Sequence, residues 1–362
     1  MDYFIISAFI LLSTWIFYRF TRERKLFILV GLFLLVLVVC AFRQVIPNID
    51  NSDAYVYKGF YERAFGKSIK EYFLSLGTTE FIFYGYFWLC AKFNFSYTLV
   101  RAIYYLIMLL MVIGITNEIE ARKNNYFDFI FLFSNFVVAN CLMRNCMAYV
   151  IGWFAITMAF NKKYVKAFLL ATIGIFVHSS CIIVLVFLLF SVGIRIVKDI
   201  RVLLLLMFGI YGGLIYIVPL IMSNLGETND KIAYYMDINT GSFAITTNFI
   251  RIIILLLLLF LYNGKKQFRI DQDYRNLMIL CLFSLCIVFI QLVNGIAYRF
   301  LAYFDIIHML SFGYIRASMH KRRITASGFE MTGILLSIIS IIVFIIFITS
   351  SLTGYGLIPI RW

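Results

Sequence analysis

EFIFYGYFWLCAKFNF, residues 80–95, is the stretch on which the reading of the whole chain turns. It is apolar and aromatic, but shorter than the ~20 residues a helix needs to cross a bilayer. Counted as a full crossing, it inverts every segment that follows. Left out of the count, it must lie at the membrane surface or dip in and return. The basic residues decide between the two.

The chain has 362 residues, of which 63% are hydrophobic and 14% charged, with three prolines. Apolar runs of spanning length recur from end to end, more than a soluble core of this size uses. The absence of ~10-residue alternating segments excludes a β-barrel. The expected class is an all-α polytopic membrane protein. The net charge of +14 is distributed as short-loop Lys and Arg that set orientation, so no nucleic-acid partner is expected.

Six basic clusters punctuate the sequence. They are Arg19/Arg22/Arg24/Lys25, Arg122/Lys123, Lys162/Lys163/Lys166, Arg195/Lys198/Arg201, Lys265/Lys266/Arg269/Arg275 and Arg316/Lys321/Arg322/Arg323. Together they hold 20 of the 32 Lys and Arg residues. The first follows the apolar run 2–18 instead of preceding it, which is the reverse of a secretory signal.

Twelve spans place all six clusters in the cytoplasm: 2–18, 26–42, 98–116, 126–142, 145–160, 166–178, 180–194, 202–222, 246–262, 276–293, 299–315 and 329–350. Both termini then face outward. Residues 80–95 become a re-entrant or interfacial segment, tolerated at membrane depth where it lines a protein cavity. The expected organisation is a single transmembrane domain over 1–362, with outward segments 43–97 and 223–245.

The seven cysteines (40, 90, 141, 146, 181, 281 and 286) lie in or beside apolar runs without metal-ligand spacing. They read as small packing residues. There is no P-loop, HExxH or EF-hand loop, and no visible internal repeat of the transporter kind.

On this threading a set of polar residues reaches the outer face. Arg43 ends an early span, with Asp50 and Asp53 after it. Glu80 opens the short aromatic segment. Arg144 lies between two apolar runs, and His178 lies where two more meet. Arg299 follows Tyr298 and precedes Tyr303. Taken singly, such an Arg reads as an interfacial anchor and such a His as a packing residue. Together they gather arginines where positive-inside bias leaves few. Guanidinium forks suit phosphate oxygens, so the set reads as a seat for an anion with a membrane-embedded tail. In the segment 223–245, Tyr235 and Asp237 suit sugar faces and hydroxyls, and a solvated loop reads equally well.

The order of these motifs resembles the EpsG-like, Wzy-type bacterial polysaccharide polymerases. The residues that carry the likeness are FRQVIPNIDNSDAYVYKGFY (42–61), TTEFIFYGYFWL (78–89), MRNCMAYVIGWFAI (143–156), VHSSCII (177–183) and AYRFLAYF (297–304). Three positions depart from the family's frequent pattern: Asn145 replaces a glutamine, and Phe81 and Ser179 replace prolines.

The resemblance implies a GT-C-like glycosyltransferase at the outer face of the bacterial cytoplasmic membrane. It implies transfer of a growing glycan from undecaprenyl diphosphate to the non-reducing end of a lipid-linked repeat unit, with no metal or other cofactor. The glycan would be a lipopolysaccharide O-antigen or a capsule. A chain-length regulator is a further expected partner. Arg144, Arg299 and Arg43 are the expected diphosphate ligands. His178, Asp53 and Glu80 are the candidates for proton transfer. Tyr298, Tyr303, Tyr235 and Asp237 are the candidates for sugar contact. An O-antigen ligase or a lipid-linked oligosaccharide flippase shares parts of this description. The flippase should show paired halves and cations deep in a central cavity.

Overall fold

The computed structural model describes residues 54–120, 143–194, 201–210, 241–261, 271–293 and 300–307, with a few single positions beside them. Among these, every regular element is helical. Three short helices come first: α1 (Ala54–Glu62), α2 (Ile69–Leu76) and α3 (Phe81–Lys92). Four longer elements follow: α4 (Tyr97–Glu120), α5 (Met143–Phe160), α6 (Tyr164–Val177) and α7 (Ile182–Gly193), with a 3-10 turn over Ser179–Cys181 between the last two. Then come α8 (Arg201–Ile210), α9 (Gly241–Phe260), α10 (Gln272–Val293) and a second 3-10 turn over Ala302–Phe304.

Helix α5 is the centre of the packing, with all but two of its residues buried. It carries small residues at Ala148, Gly152, Ala155 and Ala159. Helix α6 answers with its own small stripe, burying Ala167, Ala171, Gly174 and Val177. The large side chains of α6 point the other way: Val165 is 75% exposed and Leu169 59%. The same inversion holds at Leu205 and Phe208 of α8 and at Leu256 and Phe260 of α9. Small residues inside and large aliphatics outside is how helices pack when their surroundings are lipid. In water such a surface would be a continuous apolar patch, which soluble monomers avoid.

The twelve-span expectation meets a mixed result. Among the described residues one helix is long and apolar enough to cross a membrane, Tyr97–Ile119. Four apolar helices are shorter: Tyr164–Val177, Ser179–Gly193, Arg201–Ile210 and Arg251–Phe260. The expected spans 2–18, 26–42, 126–142 and 329–350 lie outside the described residues, apart from single positions. The segment 80–95 is not irregular chain. It forms α3, whose 12 residues extend about 18 Å at 1.5 Å per residue, too short for a ~30 Å hydrocarbon core.

Polar ties fix one end of the bundle. Lys163 Nζ lies 2.8 Å from both carboxylate oxygens of Glu118, and Asn161 Nδ2 donates to Glu118 Oε2 at 2.6 Å. These contacts join the end of α4 to the α5–α6 connection. Arg275, at the start of α10, donates through Nη2 to the carbonyl of Ile194 at 2.6 Å. It thereby adds a second donor to a carbonyl at the end of α7 that the Val197 N–H also reaches, at 2.9 Å. The described cysteines (90, 146, 181, 281 and 286) are buried and unbridged, as packing residues should be.

Candidate active site

Arg144 stands in the first turn of α5, and His178 stands directly after the last residue of α6. The two helices run antiparallel through a tight connection, so both residues lie at the end opposite Lys162, Lys163 and Lys166. A third chain segment brings Glu80 to the same place.

Local sequence explains how Glu80 arrives. Ser68 and Glu71 form a reciprocal capping box at the start of α2: the Ser68 N–H donates to Glu71 Oε2 at 2.8 Å, and the Glu71 N–H donates to Ser68 Oγ at 3.3 Å. Gly77 ends α2 at φ 58°, a left-handed position that favours glycine. Thr78 then accepts the Glu80 N–H at 3.2 Å, and α3 begins at Phe81. The aromatic face of α3 is buried beneath α1, with Phe83 against Tyr57 and Tyr84 against Phe60, both edge-on. Phe81 also meets Phe176 of α6.

Glu80 bridges the other two residues. Its Oε2 accepts from Arg144 Nη1 at 2.6 Å, and its Oε1 lies 2.7 Å from His178 Nδ1. Arg144 Nη1 also donates to the Tyr84 hydroxyl at 3.1 Å. The side chains of Glu80 and His178 are 8% and 11% exposed, and that of Arg144 is 26% exposed. Arg144 is thus the open side of the cluster. Burial pushes the Glu80 carboxyl up, but His178 and Arg144 outweigh it and hold the group below its usual range. Glu80 therefore stays a carboxylate, and its oxygens are committed to two partners.

In the cluster, Arg144 Nε and both ring nitrogens of His178, with Nδ1 facing Glu80, are enclosed without an aligned hydrogen-bond partner. An enclosed, unpaired donor or acceptor costs about 1–3 kcal/mol. A fold that keeps such nitrogens in one cluster gains when an anion or hydroxyl supplies the missing partner.

The His178 turn is held from behind. The His178 N–H donates to the Gly174 carbonyl at 2.9 Å, and the Cys181 N–H donates to the His178 carbonyl at 2.9 Å. Ser180 Oγ and the Tyr303 hydroxyl are 2.8 Å apart. Tyr303 packs edge-on to Tyr149 of α5, with ring centroids 4.7 Å apart, and has no exposed surface. With its ring enclosed and its hydroxyl against Ser180, Tyr303 supports the turn in this structure.

Gly174 lets the turn close. A Cβ there would collide with Cys181 Sγ and sit 3.3 Å from Ile151 Cγ2. Gly174→Ala is expected to destabilise the protein by about 1–3 kcal/mol through overpacking and to displace His178. Cys181→Ala, which removes the sulfur, should restore part of the loss. Thermal unfolding of the purified protein checks both, and an unchanged transition in the single variant would refute the close contact.

Of the residues expected from sequence, Glu80, Arg144, His178 and Tyr303 are described, and the first three converge. Arg43, Asp53, Tyr235, Asp237, Tyr298 and Arg299 lie outside the described residues. The sequence reading missed Tyr84. Tyr84 falls one helical turn after Glu80, a spacing that puts the pair on one helix face.

A family model described as the EpsG family matches residues 46–362. No curated protein and no solved structure matches the chain.

Proposed function

The chain belongs to the EpsG family of polysaccharide polymerases and is a membrane protein, and from that premise we propose that Arg144, Glu80 and His178 form its catalytic centre. The reaction proposed is transfer of a growing glycan from undecaprenyl diphosphate to a hydroxyl at the non-reducing end of a second lipid-linked repeat unit. The architecture on this reading is GT-C-like and multi-pass, in the bacterial cytoplasmic membrane, with the cluster facing outward. The observation that carries it is the bridge through Glu80, which sets a guanidinium and an imidazole side by side at the end of the bundle away from the Lys162/Lys163/Lys166 cluster. Lys and Arg of short loops favour the cytoplasm, so that far end is the outward one.

In the proposed reaction the acceptor oxygen bonds to the anomeric carbon of the donor. The bond from that carbon to the diphosphate oxygen breaks, and undecaprenyl diphosphate leaves with the electron pair. Negative charge grows on the leaving group, and the exposed edge of Arg144 faces it. Such stabilisation lowers the barrier because it is stronger in the transition state than in the ground state. The acceptor proton passes to His178 Nε2. Nε2 is enclosed, so substrate binding has to open the cluster on the Arg144 side. Glu80 orients both partners by the logic of a carboxylate behind a histidine, and its depressed pKa makes it a poor base. No metal is called for in this reading.

The test is purified protein supplied with purified lipid-linked repeat units. Chains of increasing length are expected, together with release of undecaprenyl diphosphate. Consumption of the donor only when a lipid-A acceptor is added would identify a ligase instead. Movement of the unit across a vesicle membrane without bond breakage would identify a flippase.

A further inference from the structure

A second ionic centre lies deeper in the bundle. Arg251, on α9, has no exposed surface. Its Nη2 donates to the carbonyl of Leu301 at 3.2 Å and pairs with the carboxylate of Asp305. Around Arg251 the helix reads IRIIILLLLL. Burying two charges in such surroundings costs several kcal/mol per ion before their attraction is counted, and ionisable groups inside apolar helices usually serve a function.

What the pair grips is backbone. Between its two anchor points, Leu301 and Asp305, lies the 3-10 turn Ala302–Phe304. Trp153 of α5 ties the same turn from another side, donating through Nε1 to the carbonyl of Ala302 at 2.8 Å. At the centre of the turn is Tyr303, seated where α5 is thinnest: a Cβ on Gly152 would lie 2.7 Å from the Tyr303 ring. The Tyr303 hydroxyl then reaches Ser180, two residues beyond His178. A continuous set of contacts runs from Arg251 through the 301–305 segment to the His178 turn.

We propose that Arg251 and Asp305 are positioning residues: the pair fixes the 301–305 turn and, through the Tyr303–Ser180 contact, holds His178 in register with Glu80 and Arg144. What the register serves rests on the polymerase reading; the mechanical claim does not.

The test uses full-length protein carrying His308→Gln and His320→Gln, which leaves His178 as its one histidine. Arg251→Met with Asp305→Leu replaces the ion pair by apolar groups, an exchange that is often neutral or stabilising when a buried pair is only structural. Two quantities are measured on the purified protein: kcat and KM on lipid-linked repeat units, and the rate at which diethyl pyrocarbonate modifies His178.

The expected result is normal abundance and thermal stability, a kcat lowered by ~10- to 100-fold, the scale of a ~1 Å misplacement, a KM little changed, and faster modification of His178. Wild-type kcat and wild-type modification rate in the double variant would overturn the proposal. If the double variant does not accumulate, Tyr303→Phe decides. It leaves the ion pair intact and removes only the hydroxyl, so a lower kcat and faster modification support the proposal, and wild-type values of both overturn it. If the unaltered pair sits in a protein that makes no polymer, while loss of the pair still speeds His178 modification, the polymerase reading fails and the positioning role stands.

Discussion

Replacing Arg144 by lysine is expected to lower the polymerisation rate by about 10²–10³-fold, the usual cost of removing one transition-state donor, without lowering the amount of protein in the membrane. Lysine keeps the charge and can still reach Glu80. It loses the planar fork, however, and the fork is what allows one edge to hold Glu80 and Tyr84 while another faces an anion. Arg144→Ala goes further. It leaves the Glu80 carboxylate without its guanidinium, and breaking a buried pair this way costs about 3–5 kcal/mol. Abundance should therefore fall in the alanine variant and hold in the lysine variant. The measurement is the polymer ladder and initial rate, normalised to protein in the membrane. A lysine variant with a wild-type ladder would reduce Arg144 to an anchor for Glu80.

His178→Gln carries the second large effect, a loss of about 10²–10⁴-fold if Nε2 accepts the acceptor proton. Glutamine is close in size and keeps a donor and an acceptor, but it takes no proton near neutrality. The pH profile separates this role from packing. A base must be unprotonated to act, so the wild-type rate should fall on acidification. That limb should be missing from whatever activity the glutamine variant retains. Glu80 does not blur the result, because its carboxyl is held below the ordinary carboxylate range. A glutamine variant with the wild-type rate and an unchanged profile would leave His178 a packing residue.

The meeting of Glu80, Arg144 and His178 was legible because each is an ionisable residue at the edge of an apolar run, and because the basic clusters give each run a direction. That reasoning is one-dimensional: it assigns an end of the bundle, not a neighbour. Glu80 as the common partner of the other two could not be read, since it depends on how Gly77 and Thr78 turn the chain and how α3 packs on α6. The helical state of 81–92 escaped for another reason. Its aromatics are spread around the helix, so no amphipathic stripe announces it. The burial of Tyr303 could not be read, because an exposed and a buried tyrosine look alike in sequence. Gly152, which makes room for it, has meaning only with both helices in place. Arg251 and Asp305 did give a signal, each being a charge inside an expected span, and the sequence reading passed over them.

The bridge through Glu80 also sets a schedule for biosynthesis. Glu80 is 64 residues ahead of Arg144 in the chain. At about 5–20 residues per second, it emerges from the ribosome roughly 3–13 s before its guanidinium partner exists. A lone carboxylate is too costly to leave in hydrocarbon for that interval. The 54–95 unit must therefore wait at the aqueous boundary and dock only after the α5–α6 hairpin has inserted. Assembly of the Glu80–Arg144–His178 cluster is then a late event in maturation, and a chain truncated before residue 143 would retain Glu80 with nothing to receive it.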